Sequence, residues 1–167
     1  MTTTKGIDRV FSAYLLTTFL CCLLIPESLG LASLLGIAPE SIPVYSWIAN
    51  VPGVRPFYPD FFILSWALLP VWLLAYGFTY LHQPPLVRPT SSQTILLSIG
   101  SLVFLSVVFF FDMDASDYSG RAAEILGAAA RLRWFGAMFF SSVFMLFFAM
   151  FALILVLTPY TIIRGKK

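Results

Sequence analysis

The chain has 167 residues, of which 59% are apolar and 11% charged, and its mean hydropathy is +0.90. Soluble domains run at ~45–50% apolar and ~25% charged, and so short a chain has too much surface to hide the excess. This excludes a soluble enzyme and a disordered linker, and a net charge of +2 is too small a bias for a nucleic-acid partner.

A single membrane-embedded domain over residues 1–167 is the expectation. A span needs ~20 largely apolar residues. The first uncharged run is Val10–Ile25, about residues 10–25. It is short, so it must borrow a turn from Ile7 or run past Pro26. Lys5 and Arg9 precede it, but no A-x-A cleavage pattern follows, so it reads as a retained helix. Cys21 and Cys22 are adjacent and point ~100° apart on a helix, which argues against a bridge and for packing.

The segment 26–60 contains six of the eleven prolines, Pro26, Pro39, Pro43, Pro52, Pro56 and Pro59. Such density forbids a long helix and permits short ones. Leu29, Leu31, Leu34, Leu35 and Ile37 are too apolar for a free loop, so a short interfacial helix is expected over Ser28–Gly36 and another over Ser41–Asn50. The segment reads as a lid over the helix ends.

The second run, Phe61–Leu81, contains Pro70, which predicts a kink. A short Pro-rich connection follows, with His82, the lone histidine, read as an interfacial residue. The third run, Thr94–Phe111, places Thr94, Ser98 and Ser101 on one face. The segment 112–134 opens with Asp112, Asp114 and Asp117. A calcium loop needs Gly at its sixth position and Glu at its twelfth, where this chain has Asp117 and Ala123. A solvated turn is the better reading, followed by a helix over Arg121–Arg133 with Glu124, Arg131 and Arg133 on its wet side. The fourth run is Phe135–Leu157. Spans of about 10–25, 61–81, 94–111 and 135–157 must be helical, because lipid satisfies no open backbone. The predicted fold is an all-α antiparallel bundle of four transmembrane helices, with a long Pro-rich outer loop holding short interfacial helices.

Flanking charge sets orientation. Lys5, Arg9, Arg88, Arg164, Lys166 and Lys167 lie on one side with the single acid Asp8. Arg55, Arg121, Arg131 and Arg133 share the other side with seven acids. The basic side, with both termini, is predicted to be cytoplasmic. Aromatic belts are expected at Tyr45, Trp47, Phe57, Tyr58 and Trp134 outside and at Tyr76, Tyr80 and Tyr160 inside.

No ionisable residue falls within the apolar runs, and no nucleophile–base pair, carboxylate pair, metal-ligand pair or Gly-rich phosphate loop is present. The expected reading is non-enzymatic, with no cofactor and no metal. Convergence of Glu27, Asp60, Asp112 and Arg121 on one pocket would instead point to an enzyme or carrier. Recognition within the bilayer remains, through close packing of small residues. On the fourth helix Ala137, Ser141, Met145, Ala149 and Ala152 share a face, and a Phe stripe that includes Phe140 and Phe144 lies about 110° round. These ridges serve either internal packing or a partner helix. The candidate partner-binding residues are Ala137, Phe140, Ser141, Phe144, Ala149 and Ala152, with Arg121 in the outer loop. The expected partners are membrane lipid and another membrane-inserted protein.

This layout, with four spans, both termini inside, a long Pro-bearing outer loop and a basic tail, resembles the four-helix immunity proteins of pore-forming colicins. Phe109-Phe110-Phe111 followed by Ser119-Gly120-Arg121 is similar, as is Thr158-Pro159 with Thr161, Arg164, Lys166 and Lys167. The resemblance implies a protein of the bacterial inner membrane that meets a toxin's hydrophobic hairpin in the bilayer and prevents voltage-driven pore opening. The alternative is a small accessory subunit of a respiratory, photosynthetic or secretion complex.

Overall fold

The computed structural model describes residues 5–27, 29–82, 91–110 and 120–164. Arg88, Asp112, Asp114, Asp117, Lys166 and Lys167, each used above, lie outside them. Helix α1 (Lys5–Leu24) starts five residues before the uncharged run, with Asp8 in its first turn, where the helix dipole favours an acid. It stops short of Pro26, which disfavours helical backbone at the residue before it.

Helix α2 (Leu31–Leu35) is shorter than the expected 28–36. Gly30 and Gly36, at φ 67° and 64°, adopt left-handed backbone on either side and end it in both directions. The second expected helix is replaced by two single 3₁₀ turns, Pro39–Ser41 and Tyr45–Trp47. Helix α3 (Tyr58–His82) carries Pro70 in its interior. Helix α4 is Ser91–Phe110 and α5 is Arg121–Arg131.

Leu132, in extended backbone, separates α5 from α6 (Arg133–Ala152). The helical path then runs through a π turn, Leu153–Leu157, into α7 (Thr158–Arg164). Pro159 explains the π turn. It has no N–H for the carbonyl four residues back, and widening the preceding turn relieves the clash of its ring. The Thr158 hydroxyl donates to the Leu153 carbonyl at 2.9 Å.

Among the described residues the molecule is all-helical, and three helices are long and apolar enough to cross a membrane: Gly6–Leu24, Tyr58–His82 and Arg133–Ile163. These suggest a membrane-embedded protein. The apolar part of α4, Ser92–Val108, is shorter. At ~1.5 Å per residue it covers ~26 Å against a hydrocarbon core of ~30 Å.

Helices α1, α3 and α6 form the centre. Two ring clusters hold them together. In one, Phe11 and Tyr14 of α1 pack on Phe148 of α6 with centroids 5.0 and 4.7 Å apart, and Tyr76 of α3 lies 5.4 Å from Phe11. In the other, Tyr58 and Phe62 of α3 lie 5.4 and 5.0 Å from Phe140 of α6. The belt assignment is therefore corrected: Tyr45, Phe57, Tyr58, Tyr76 and Tyr80 are core residues, while Trp134 stays exposed.

Helix α4 packs on α6, the π turn and α7, and its face of Thr94, Ser98, Ser101, Leu105 and Val108 is buried. The Ser98 and Thr158 hydroxyls bond each other across this seam. One end of the bundle, here the crown, carries residues 25–57 and α5. The opposite end, the base, carries the first turn of α1 and residues 82, 91 and 164.

Candidate functional site

The crown is fastened by polar contacts that account for backbone groups at three helix ends. Asp60, in the first turn of α3, is 2% exposed. Its carboxylate accepts the N–H groups of Leu29 at 2.6 Å, Gly30 at 3.1 Å and Leu31 at 2.7 Å. The left-handed Gly30 turns these consecutive donors to one side, making an anion-binding concavity. Asp60 thus satisfies the start of α2 and ties it to α3.

Arg133 does the converse for α1. Its Nε donates to the Cys22 carbonyl at 3.0 Å, and a terminal nitrogen donates to the Ile25 carbonyl. A cation at the negative end of a helix is favourable. The same guanidinium lies 4.4 Å from the centre of the Phe57 ring. This corrects the expectation of a wet Arg133, because the break at Leu132 turns it toward α1.

All four last carbonyls of α5 are taken as well. Ala128 accepts from Leu132 N–H at 2.8 Å, Ala129 from the Tyr58 hydroxyl, Ala130 from Arg55 N–H at 3.2 Å and Arg131 from Arg55 Nε at 3.2 Å. Gly136 makes this approach possible, since a Cβ there would collide with the Tyr58 hydroxyl and the Ala129 carbonyl. Arg55 also pairs with Glu27 at 3.2 Å, both side chains largely exposed. Burial raises the Tyr45 phenol pKa above its usual value, and the Glu40 carboxylate adds to the rise.

Glu27 and Asp60 are thus engaged separately, and Arg121 is exposed. Asp112 lies outside the described residues. His82 is exposed at the base, its Nδ1 2.8 Å from the Phe78 carbonyl. Among the described residues no three His, Cys, Asp or Glu side chains group as a metal ion would require.

The candidate partner-binding residues divide by burial. Ala137, Phe140, Phe144 and Ala152 lie inside this chain's own packing, and Ala149 is half-buried. Ser141 is 1% exposed but forms the floor of a surface groove between α1 and α6 of about 320 Å³. Ser12, Leu15, Leu16 and Phe19 supply one wall, and Met138 and Ser142 the other.

The Ser142 hydroxyl is satisfied by the Met138 carbonyl at 2.8 Å, the usual resolution for a helical serine. The Ser141 hydroxyl is buried with no hydrogen-bond partner. Small hydroxylated residues beside bulky aliphatic ones suit close approach of another helix. The wall residues recur at 12, 15, 16 and 19, one helical face, but so does much of α1. Only tertiary packing shows which face is left open. A wider groove of about 950 Å³ lies between α3 and the π turn, where Gly77 meets Val156.

No protein-family model, curated protein or solved structure matches this chain.

Proposed function

We propose that the chain is a four-span integral membrane protein, with both termini cytoplasmic, that acts by recognising another membrane-inserted helix. The more specific reading is an immunity protein of a bacterial inner membrane that blocks a pore-forming toxin. It is non-enzymatic and uses no cofactor. The observation that carries it is the α1–α6 groove, with serines on both walls and a buried, unbonded Ser141 hydroxyl at its floor. The exposed Ser12 and Ser142 hydroxyls on the walls are the polar groups that an incoming helix meets, and the small Ser141 beneath them lets its backbone approach closely.

A toxin hairpin inserting from outside meets the crown first. The contacts of Asp60, Arg133 and Arg55 fix the crown on the bundle, and no crown residue lines the groove. Such a device needs shape and a few hydroxyls, not a charge within the span.

The test is a sensitive host expressing this chain and challenged with the pore-forming toxin encoded beside its gene. Protection is expected, and unchanged killing overturns the immunity reading. Ser142 is exposed, so Ser142→Phe fills the groove without disturbing the core. It is expected to abolish protection while leaving the chain in the membrane fraction. A constitutive multi-subunit complex recovered in mild detergent, with no protection, would establish the accessory-subunit alternative instead.

A further inference from the structure

A third groove has the opposite character to the one between α1 and α6. It encloses about 590 Å³ beneath residues 37–43 of the crown, against α3 and Phe151 of α6. That volume falls within the ~300–1,000 Å³ of small-ligand sites. Along α3 it runs from Ile63 to Pro70, about 10 Å at ~1.5 Å per residue. Its walls are bulky, formed by Ile37, Ile42, Ile63, Trp66 and Leu69, with no glycine or alanine among them. A transmembrane helix needs small residues for its backbone to approach, so this groove does not suit one.

The polar groups at its upper edge are already used. The Ser41 hydroxyl donates to the Ala38 carbonyl at 2.7 Å, and Trp66 Nε1 donates to the Pro43 carbonyl at 3.1 Å. What fits is thin, flexible and wholly apolar. Glu40, one residue before the lining Ser41, is exposed and forms no ion pair with any described residue. An uncompensated carboxylate one residue along the chain from an apolar slot matches a ligand with a cationic end and a hydrocarbon tail.

We propose that this groove holds one acyl chain of an amine-headed phospholipid, its ammonium group at Glu40. The inference rests on the chain being membrane-embedded, as proposed above, but not on the immunity reading. The lid over the groove then has a second role, because a seated lipid packs Ile37 and Ile42 against α3.

The experiment reconstitutes the full chain in vesicles of equal phosphatidylethanolamine and phosphatidylglycerol, extracts it in mild detergent and weighs it by native mass spectrometry. One retained phosphatidylethanolamine per chain is expected. Ile63→Trp should lower its occupancy about tenfold, equivalent to ~1.4 kcal/mol. Glu40→Gln should reduce the preference over phosphatidylglycerol by up to about fivefold, the range of one exposed charge pair. Circular dichroism of both variants must match the parent. Should Ile63→Trp fail this check, Leu69→Phe fills the same slot and is read in its place. A chain that resists carbonate extraction yet retains no lipid overturns this proposal alone. A chain released by carbonate overturns the membrane reading with it. Retention of both lipids equally by parent and variants, or of a second copy instead of lipid, also overturns it.

Discussion

Asp60 shows how a charge at the end of an apolar run is used. In sequence it is an acid where a span begins, a position that suits any solvated carboxylate. In the structure three N–H groups from residues 29–31 close on it. Hydrogen bonds to a charged acceptor contribute about 1.5–3 kcal/mol each, and a buried donor left alone costs a comparable amount. Asp60→Ala is therefore expected to cost about 3 kcal/mol, measured as a lowered melting temperature in detergent, and to open residues 29–37 to protease. Asp60→Asn, which keeps one acceptor oxygen, should fall between. A variant that melts with the parent would show that α2 is held by Ala32 and its neighbours instead. No local pattern announces this role, because the donors lie about 30 residues away and depend on a left-handed Gly30. Arg133 was obscure for the same reason: its acceptors are carbonyls of α1, which any side chain could have occupied.

At the level of elements, legibility depended on what each face meets. The hydroxyl face of α4 could be read from 94, 98 and 101, and its continuation through Leu105 and Val108 keeps the alternating four-three spacing of a packing seam. The end of the last helix was less legible. Thr158-Pro159 could have ended the helix, yet the π turn absorbs the proline and α7 continues to Arg164. That continuation brings Thr158 against Ser98. Interhelical hydroxyl pairs in membranes contribute ~0.6 kcal/mol on average and ~1.7 at most. A double-mutant cycle of Ser98→Ala and Thr158→Val, followed by thermal unfolding, is expected to give a coupling in that range. Strict additivity would mean that the aliphatic half of the seam holds α4 by itself. The tyrosines failed as belt markers because a phenol suits a core as well as an interface whenever a carbonyl is within reach, as Ala129 is for Tyr58.

Across the whole molecule, the apolar runs predicted where helices would form; α1 runs antiparallel to both α3 and α6, which lie parallel to each other, as the first, second and fourth spans of an up-and-down bundle must. What the runs do not encode is which surfaces remain open after packing, since α3, α4 and α6 are apolar nearly all round. The grooves are what is left once rings such as Phe140, Phe144 and Phe148 have filled the centre. Their biological meaning depends on which end of the bundle faces outward. Arg55, Arg121 and Arg131 with Glu27, Glu40 and Glu124 crowd the crown, whereas the base and tail are basic. Basic flanks are retained on the cytoplasmic side during insertion, and acids contribute little to that choice. Arg121 and His82 are both exposed, at opposite ends of the bundle, so each can report its side. With Cys21 and Cys22 replaced by Ser, an Arg121→Cys variant should react with a membrane-impermeant maleimide in intact cells. His82→Cys should react only after lysis. The reverse pattern would put the crown in the cytoplasm, where a toxin arriving from outside would meet the base first, and the α1–α6 groove would then need a partner from within the cell.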